Sequence, residues 1–407
     1  MKILVVSQYY SPEPFRVADL CAGLVQRGHK VMVVTGTPNY PEPEIYPGYE
    51  NGKRSDEVLD GVRVHRCPIH PRKRGALHRV WNYYSFVFSS CRYLAGLEED
   101  FDVVFVYQLS PVMMAEGALA WAKRHGKPCV LYCLDLWPES LTLGGIQVGS
   151  LIYRYYLGVS RRIYQRANRV LLSSRGFARY FQETLGIGEK TLAYLPQYAE
   201  NLFDGVSPAQ AHEPPYHFLF AGNIGSAQSV DTILETAKIL REDPRVQFDI
   251  VGDGSELERC RQLGRELPNV TFFGRRDVKE MPVFYGQADA MLVTLRDNPA
   301  ISYTLPGKVQ SYLAAGRAVA GAVNGAAAEE VRAADCGLCV RAEDAAALAE
   351  VVRRLADRPG EFVRFGENAR RYYQDTFTRD IFFEKLTQLL EETIRDREAD
   401  AMGTAYK

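Results

Sequence analysis

The chain of 407 residues is too long for one compact core and suits two α/β domains of roughly 150–200 residues each. With 46% hydrophobic and 24% charged residues its composition is that of an ordinary globular protein, which excludes disorder and fibrous repeats. A net charge of −1 argues against nucleic acid as a main partner, because a phosphate backbone calls for a strong basic excess.

The first predicted element lies in MKILVVSQYYSPEP. One basic residue and a short apolar run that ends in polar residues and proline make a first strand, not a signal peptide. Apolar, β-branched runs recur at 31–35, 62–67, 103–107, 130–133 and 170–173, and again at 217–221, 247–251, 270–273, 290–294 and 318–322. Helix-period segments separate them. Continuous apolar strands alternating with helices imply parallel sheets covered on both faces. No GxGxxG follows the first strand, which disfavours a dinucleotide oxidoreductase. Its loop instead places Arg16 at the start of the first helix, a candidate phosphate partner unless it only faces solvent.

Next comes the basic run His70-Pro71-Arg72-Lys73-Arg74, followed by a long predicted helix over 75–97 with Trp81, Tyr83, Tyr84, Phe86, Phe88 and Tyr93. Aromatic residues beside a basic cluster suit a lipid interface; a helix packed on the sheet behind a solvated loop is the alternative. One helix can serve both ends. Cys129 and Cys133 lie in a run that reads as a buried strand, and the eight cysteines show no CxxC pair or metal-ligand spacing. A reduced, cytoplasmic compartment fits. No stretch reaches the roughly 18–20 apolar residues of a spanning helix, so membrane contact would be peripheral.

Asp135-Leu136-Trp137-Pro138-Glu139-Ser140 directly follows the strand at 130–133. Functional residues of parallel α/β sheets gather at strand carboxyl ends, and two carboxylates with an indole suit a polyol. A capped helix start would use the same residues. The stretch 195–216 is rich in proline and polar residues, lacks periodicity, and reads as an interdomain linker. The strand at 217–221 then ends in Gly222-Asn223-Ile224-Gly225, before a helical segment, SAQSVDTILETAKIL. Glycines at such a turn let the backbone approach an anion and aim helix N–H groups at it, although a tight turn without ligand looks alike.

Pro306-Gly307 opens another helix and places Lys308 in its first turn, where the helix dipole disfavours a cation. An anionic ligand sharing the site would explain it. Glu329, in the loop after the strand at 318–322, could accept from sugar hydroxyls, but a dipole-favoured glutamate is the better local explanation. The segment 379–396 forms a helical face of Ile381, Phe382, Phe383, Leu386, Leu389, Leu390 and Ile394, more apolar than a free tail needs, and should dock.

Taken in order, FRVADLCAGLVQRGHKVMVVTG, PNYPEPEIYPGY, the DLWPES run, the 221–234 glycine turn, VGDG, residues 306–316 and NARRYYQDTF resemble glycosyltransferase family 4, which has the GT-B fold. The similarity runs over nearly the whole chain. It is greatest to the branch of bacterial capsule and O-antigen assembly, in which VYQxSPV, DLWPES, AGNIGxAQ and PGKVQSYLAAG recur together. The resemblance implies two facing Rossmann-like domains with parallel sheets. Residues 1–197 would form the acceptor-side domain and 198–378 the nucleotide-sugar-binding domain, with a helix at 379–407 crossing back to the first. It also implies a retaining transferase with a UDP-linked donor held mainly by the second domain in the cleft, and no metal or other cofactor. The transferred group would be a hexosyl or N-acetylhexosaminyl unit. A glycan or lipid-linked acceptor and a peripheral location on the inner face of the plasma membrane follow from the same resemblance.

Carried over position by position, Gly222, Asn223, Ile224, Gly225 and Lys308 would hold the diphosphate. Gly252, Asp253, Gly254 and the Gly274–Arg275 loop would lie near the nucleotide, and Glu329 near the nucleoside or its sugar. Tyr9 and Arg16 would face the cleft, with Asp135, Trp137 and Glu139 on the acceptor side. Diphosphate is the leaving group, so catalysis would rest on charge stabilisation by Lys308, Arg16 and backbone N–H groups, with Asp135 beside the acceptor. The chain departs from the family where Tyr303 and Ser311 replace a glutamate pair and Gln197 replaces a common asparagine. Two rivals remain open at this point: a nucleotide-sugar epimerase of similar fold, and a catalytically silent sugar-nucleotide-binding subunit of an assembly complex.

Overall fold

The computed structural model describes residues 1–405 except Glu42, Arg74 and Leu143. The chain forms two compact units. One comprises Met1–Ser173, Phe177–Leu195 and Phe383–Lys407; the other comprises Ser174–Gly176 and Pro196–Phe382.

The first unit contains β1 (Lys2–Val6), α1 (Val17–Gln26), β2 (Lys30–Gly36), β3 (Asp56–Leu59), β4 (Val62–Cys67), α2 (Ala76–Ala95) and β5 (Val103–Gln108). The chain continues through α3 (Glu116–His125), β6 (Cys129–Cys133), α4 (Glu139–Thr142), α5 (Leu151–Tyr164), β7 (Arg169–Leu172), α6 (Gly176–Glu183) and β8 (Leu192–Tyr194). Its sheet runs β3-β4-β2-β1-β5-β6-β7-β8, parallel except for the antiparallel β3–β4 pair. Ile3 lies opposite Val31 on one side and Val103 on the other. Ile3, Leu4, Val5 and Val6 are all fully buried, so both faces of the central strand are covered and its sequence is apolar without alternation.

The second unit holds β9 (Tyr216–Ala221), α7 (Val230–Ile239), β10 (Val246–Val251), α8 (Leu257–Gly264), β11 (Val270–Gly274), α9 (Met281–Gln287) and β12 (Ala290–Thr294). Then come α10 (Pro299–Ser302), α11 (Gly307–Ala314), β13 (Ala318–Ala322), α12 (Ala326–Ala333), β14 (Gly337–Val340), α13 (Ala345–Asp357), α14 (Gly360–Thr376) and α15 (Arg379–Ala405). Its six parallel strands run β11-β10-β9-β12-β13-β14, the doubly wound order. The chain leaves β9 to one side and later returns on the other, so the carboxyl ends of β9 and β12 border a crevice. β1 and β5 stand in the same relation in the first unit.

Three strands go beyond those predicted: β3, β8 and β14, each at a sheet edge. The predicted linker at 195–216 is also corrected. Ala199, Phe203 and Val206 are buried in the second unit's core, and Phe203 stacks on Tyr285 with ring centroids 4.5 Å apart. Only the stretch from 207 to 215 is largely exposed coil.

The C-terminal helix α15 docks as its apolar face requires. Phe383, Leu386 and Leu390 are fully buried, the Arg27 guanidinium sits 4.2 Å over the Phe383 ring, and Arg169 pairs with Glu392 at 2.9 Å. The long helix α2 serves two environments. Asn82, Phe86, Ser90 and Leu94 are buried, while Leu77, Val80, Trp81, Tyr84 and Phe88 form an apolar stripe left exposed on another face. All eight cysteines are free, with Cys129 and Cys133 buried in β6. Among the described residues no helix is long and apolar enough to cross a membrane.

Candidate functional site

In the second unit, three loops are laced together at the β9 end of the sheet. The Gly222 N–H donates to Val251 O at 3.0 Å, the Gly252 N–H to Gly274 O at 2.9 Å, and the Ile224 N–H to Asp253 O at 2.8 Å. This lacing requires glycine. A Cβ on Gly252 would stand 1.8 Å from the Gly222 carbonyl oxygen, and one on Gly254 would stand 2.4 Å from that of Ile224. Between the loops lies a cleft of about 560 Å³ lined by Gly222, Asn223, Asp253, Gly254, Arg275 and Arg276, among others. Asp253 caps its own loop, accepting the Gly254 N–H at 2.7 Å. Both arginines are exposed, so the lining carries more positive than negative charge.

Lys308 reaches the same end of the sheet from α11. Its stem is part-exposed, but its Nζ is buried and has no hydrogen-bond partner among the described residues. The ammonium lies 4.0 Å from the Phe220 ring centroid, and a Cβ on Gly222 would come 3.2 Å from it. Gly222 thus makes the room that Lys308 occupies. Burial pulls the Lys308 pKa down to about 7. An unpaired buried ammonium is costly, and an anionic ligand removes that cost by supplying the missing acceptors. The N–H groups of Asn223 and Gly225, in the turn that Gly222 opens, carry no hydrogen bond among the described residues.

Several expectations need correction here. The glycine turn does not run directly into a helix: a 3₁₀ turn at Ser226–Gln228 and the left-handed Ser229 intervene before α7 begins at Val230. The turn therefore does not aim a helix N-terminus at the cleft; the Gly222 and Ile224 amides are bonded within the loops, and Gly225 is not among the cleft's lining residues. Ile224 offers a ligand nothing, because its side chain is fully buried, its N–H is bonded to Asp253, and its carbonyl accepts the Glu256 N–H. Glu329 sits exposed in the first turn of α12 and does not line the cleft. One further residue carried no sequence signal. The Ser311 hydroxyl donates to Glu200 Oε2 at 3.2 Å, so a carboxylate from 111 residues earlier in the chain stands beside the position where the resemblance lacks a glutamate. The Tyr303 carbonyl takes the Ser174 hydroxyl at 2.6 Å.

In the first unit, the loops after β1, β5 and β6 meet at the corresponding end of the sheet. Arg16 occupies the N-cap of α1, and its charge and that of Asp135 both act on the buried Tyr107 hydroxyl. Asp135 accepts the Ser110 N–H at 3.2 Å, while the Gln108 side chain donates to its carbonyl at 3.0 Å. Burial raises the Asp135 pKa, and the Ser110 bonds oppose that rise. Glu13 clamps the neighbouring loops by accepting the N–H groups of Tyr10, Asn39 and Tyr40 at 2.9–3.0 Å.

The other acceptor-side residues are more enclosed than expected. Tyr9 is buried between Phe15 and Tyr40, with centroids 4.8 and 5.8 Å away. The carboxylate of Glu139 is buried and takes the Tyr153 hydroxyl, which ties α4 to α5. Trp137 is 3% exposed, edge-on to Tyr83 and Tyr156, and its indole N–H has no acceptor among the described residues. Stacking of a sugar on its open face is therefore not available in this conformation. No group of three or more His, Cys, Asp or Glu residues is placed to hold a metal ion among the described residues.

The sequence matches the Glycosyl transferase 4-like domain over residues 15–197 and the Glycosyl transferases group 1 domain over residues 215–358. It is 26% identical over 336 residues to a glycosyl transferase assigned to colanic acid biosynthesis, WcaI of Escherichia coli strain K12, covering 78% of this chain and 82% of that one. In fold it is similar to a sucrose-phosphate synthase from Thermosynechococcus elongatus, with a TM-score of 0.75 and 19% identity over 97% of this chain and 99% of that one. The Anabaena protein HepE in complex with UDP-glucose gives a TM-score of 0.67 at 14% identity, covering 96% of this chain and 100% of that one.

Proposed function

Because the chain belongs to the glycosyltransferases of the GT-B fold and resembles those that build bacterial polysaccharides, we propose that it moves a hexosyl or N-acetylhexosaminyl unit from a UDP-sugar to a glycan or lipid-linked acceptor in surface-polysaccharide assembly, with retention of configuration. The observation that carries this reading is the buried, unpartnered Lys308 ammonium beside the Gly222 turn. It is a cation built for an anion that the protein does not itself supply.

In the proposed reaction the C–O bond between the anomeric carbon and the β-phosphate breaks, and negative charge grows on the departing diphosphate. Lys308, the Asn223 and Gly225 amides and the N–H groups of the first turn of α11 stabilise that charge. Preorganised donors of this kind commonly lower such barriers more than any other effect. Arg275 and Arg276 add long-range attraction. The acceptor hydroxyl attacks from the leaving-group face and gives up its proton to the departing phosphate, with Asp135 orienting the acceptor. Charge neutralisation by protein groups leaves no divalent metal required. The colanic acid assignment of WcaI and the UDP-glucose bound by HepE support a polysaccharide context and a UDP donor.

A thermal-shift panel of nucleotide sugars tests this reading. A cognate donor at 100 times its dissociation constant adds about 2.7 kcal/mol of stability. UDP-sugars should raise the midpoint and GDP- or ADP-sugars should not; a chain that responds to no nucleotide sugar is not this enzyme.

A further inference from the structure

The first unit carries a second cavity, distinct from the end of the sheet where Asp135 sits but opening beside it. This groove, of about 840 Å³, runs between α2 and α5. Its volume is in the range of small-molecule sites. Trp137, Ser110 and Ser140 form its polar end, where Ser110 also donates its N–H to Asp135. Two arginines aside, the rest of the lining is mainly apolar and aromatic, and its rim is exposed to a degree unusual for large apolar side chains: Leu151 is 84% exposed, Tyr155 59% and Ile152 53%. Arg72 and Arg79 stand in the same lining, which includes no carboxylate among the described residues. The buried indole N–H of Trp137 adds a donor without an acceptor.

We propose that this groove binds the hydrocarbon chain of one phosphate-bearing lipid, the anchor of the acceptor, with the phosphate held by Arg72 and Arg79. The proposal rests on the transferase reading and adds the acceptor's anchor to it. Four features lead to this occupant. The apolar length accounts for an alkyl or prenyl chain. The two arginines, unopposed by acid, account for an anionic head. Continuity with Ser110 and Asp135 places the head's distal end at the candidate acceptor site. The exposed rim of α5, together with the stripe Leu77, Val80, Trp81, Tyr84 and Phe88 on α2, provides a surface from which a lipid can enter. A peptide partner would leave the arginine pair and the enclosed polar end unexplained.

The test uses the full-length protein and simple probes in calorimetry: decyl phosphate below its aggregation threshold, ethyl phosphate, and decanol. Decyl phosphate should bind saturably at one per chain. Ethyl phosphate should bind at least a hundredfold more weakly, since each fully buried methylene is worth roughly fourfold. Ile152→Glu and Val80→Glu should each weaken decyl phosphate at least about tenfold. Both sites are exposed, so folding should persist, as circular dichroism would verify. Arg79→Ala should weaken decyl phosphate about fivefold and leave decanol unchanged.

Equal affinity in wild type and Ile152→Glu would overturn the proposal. So would binding that appears only with vesicles and scales with vesicle area, because the occupant would then be a bilayer surface. A UDP titration run in parallel distinguishes failure of the groove from failure of the transferase reading. UDP binding without saturable decyl phosphate binding removes the groove and leaves the transferase reading intact. Saturable decyl phosphate binding without UDP binding does the reverse.

Discussion

At the residue scale, Lys308 is the pivot of the proposed donor site. In the free protein its ammonium is buried without a partner and burial has lowered its pKa to about 7. A bound diphosphate restores a partner and raises that pKa again. Between the two values binding takes up a proton, so UDP affinity should fall as pH rises above about 7, by up to about tenfold per unit. The Lys308→Ala protein should bind more weakly and lose the slope. Calorimetry from pH 6.5 to 9 checks both; a wild-type affinity flat across that range would mean that the lysine stays charged without ligand.

Lys308 was legible in the sequence because a cation in a helix's first turn conflicts with the dipole. Ile224 was not legible as a structural pin, because whether an N–H is free or bonded depends on a loop more than two dozen residues away. Glu200 was invisible for the same reason: no spacing rule links it to Ser311 across 111 positions. Tyr9, Trp137 and Glu139 stood in the expected segments, but their enclosure depends on partners such as Tyr40, Tyr156 and Tyr153 that local sequence does not name.

At the scale of elements, the central strands were legible because a strand covered on both faces is apolar throughout. The edge strands were not. β3 reads Asp-Glu-Val-Leu and is only partly covered, while β8 and β14 are apolar but just three and four residues long, too short to stand out as strands. The linker reading failed because Ala199, Phe203 and Val206 are only a few apolar residues, set among polar residues and glycine in a run too short to register as an element, yet each still fills the second unit's core.

Two predictions belong to this scale. Gly252→Ala, whose Cβ would collide with the Gly222 carbonyl, should force the laced loops apart and abolish UDP binding while leaving the far-ultraviolet circular dichroism near normal. Retained UDP affinity would show that the loops tolerate separation. Leu390→Ala in α15, a fully buried position, should cost the first unit about 2–5 kcal/mol. Urea unfolding should show that loss; an unchanged transition would mean α15 contributes nothing to the first unit.

At the scale of the whole molecule, a net charge of −1 hides local asymmetry. Arg72 and Lys73 lie beside the apolar stripe of α2, while Arg74, the last residue of the basic run, lies outside the described residues. We expect reversible association with anionic vesicles, with about 1 kcal/mol from each basic residue near the surface and weakening in high salt. Arg72→Glu/Lys73→Glu should reduce co-sedimentation; sedimentation equal to wild type would make the run a solvated loop.

The most direct test of the central claim is acceptor-dependent release of UDP from UDP-sugars in buffer containing EDTA, with bacterial lipid extract as acceptor. The wild-type enzyme should release UDP only when extract is present, and folded Lys308→Ala should do so roughly 10²–10³-fold more slowly. Release by Lys308→Ala at the wild-type rate, or release that vanishes in EDTA and returns with magnesium or manganese, would contradict the account.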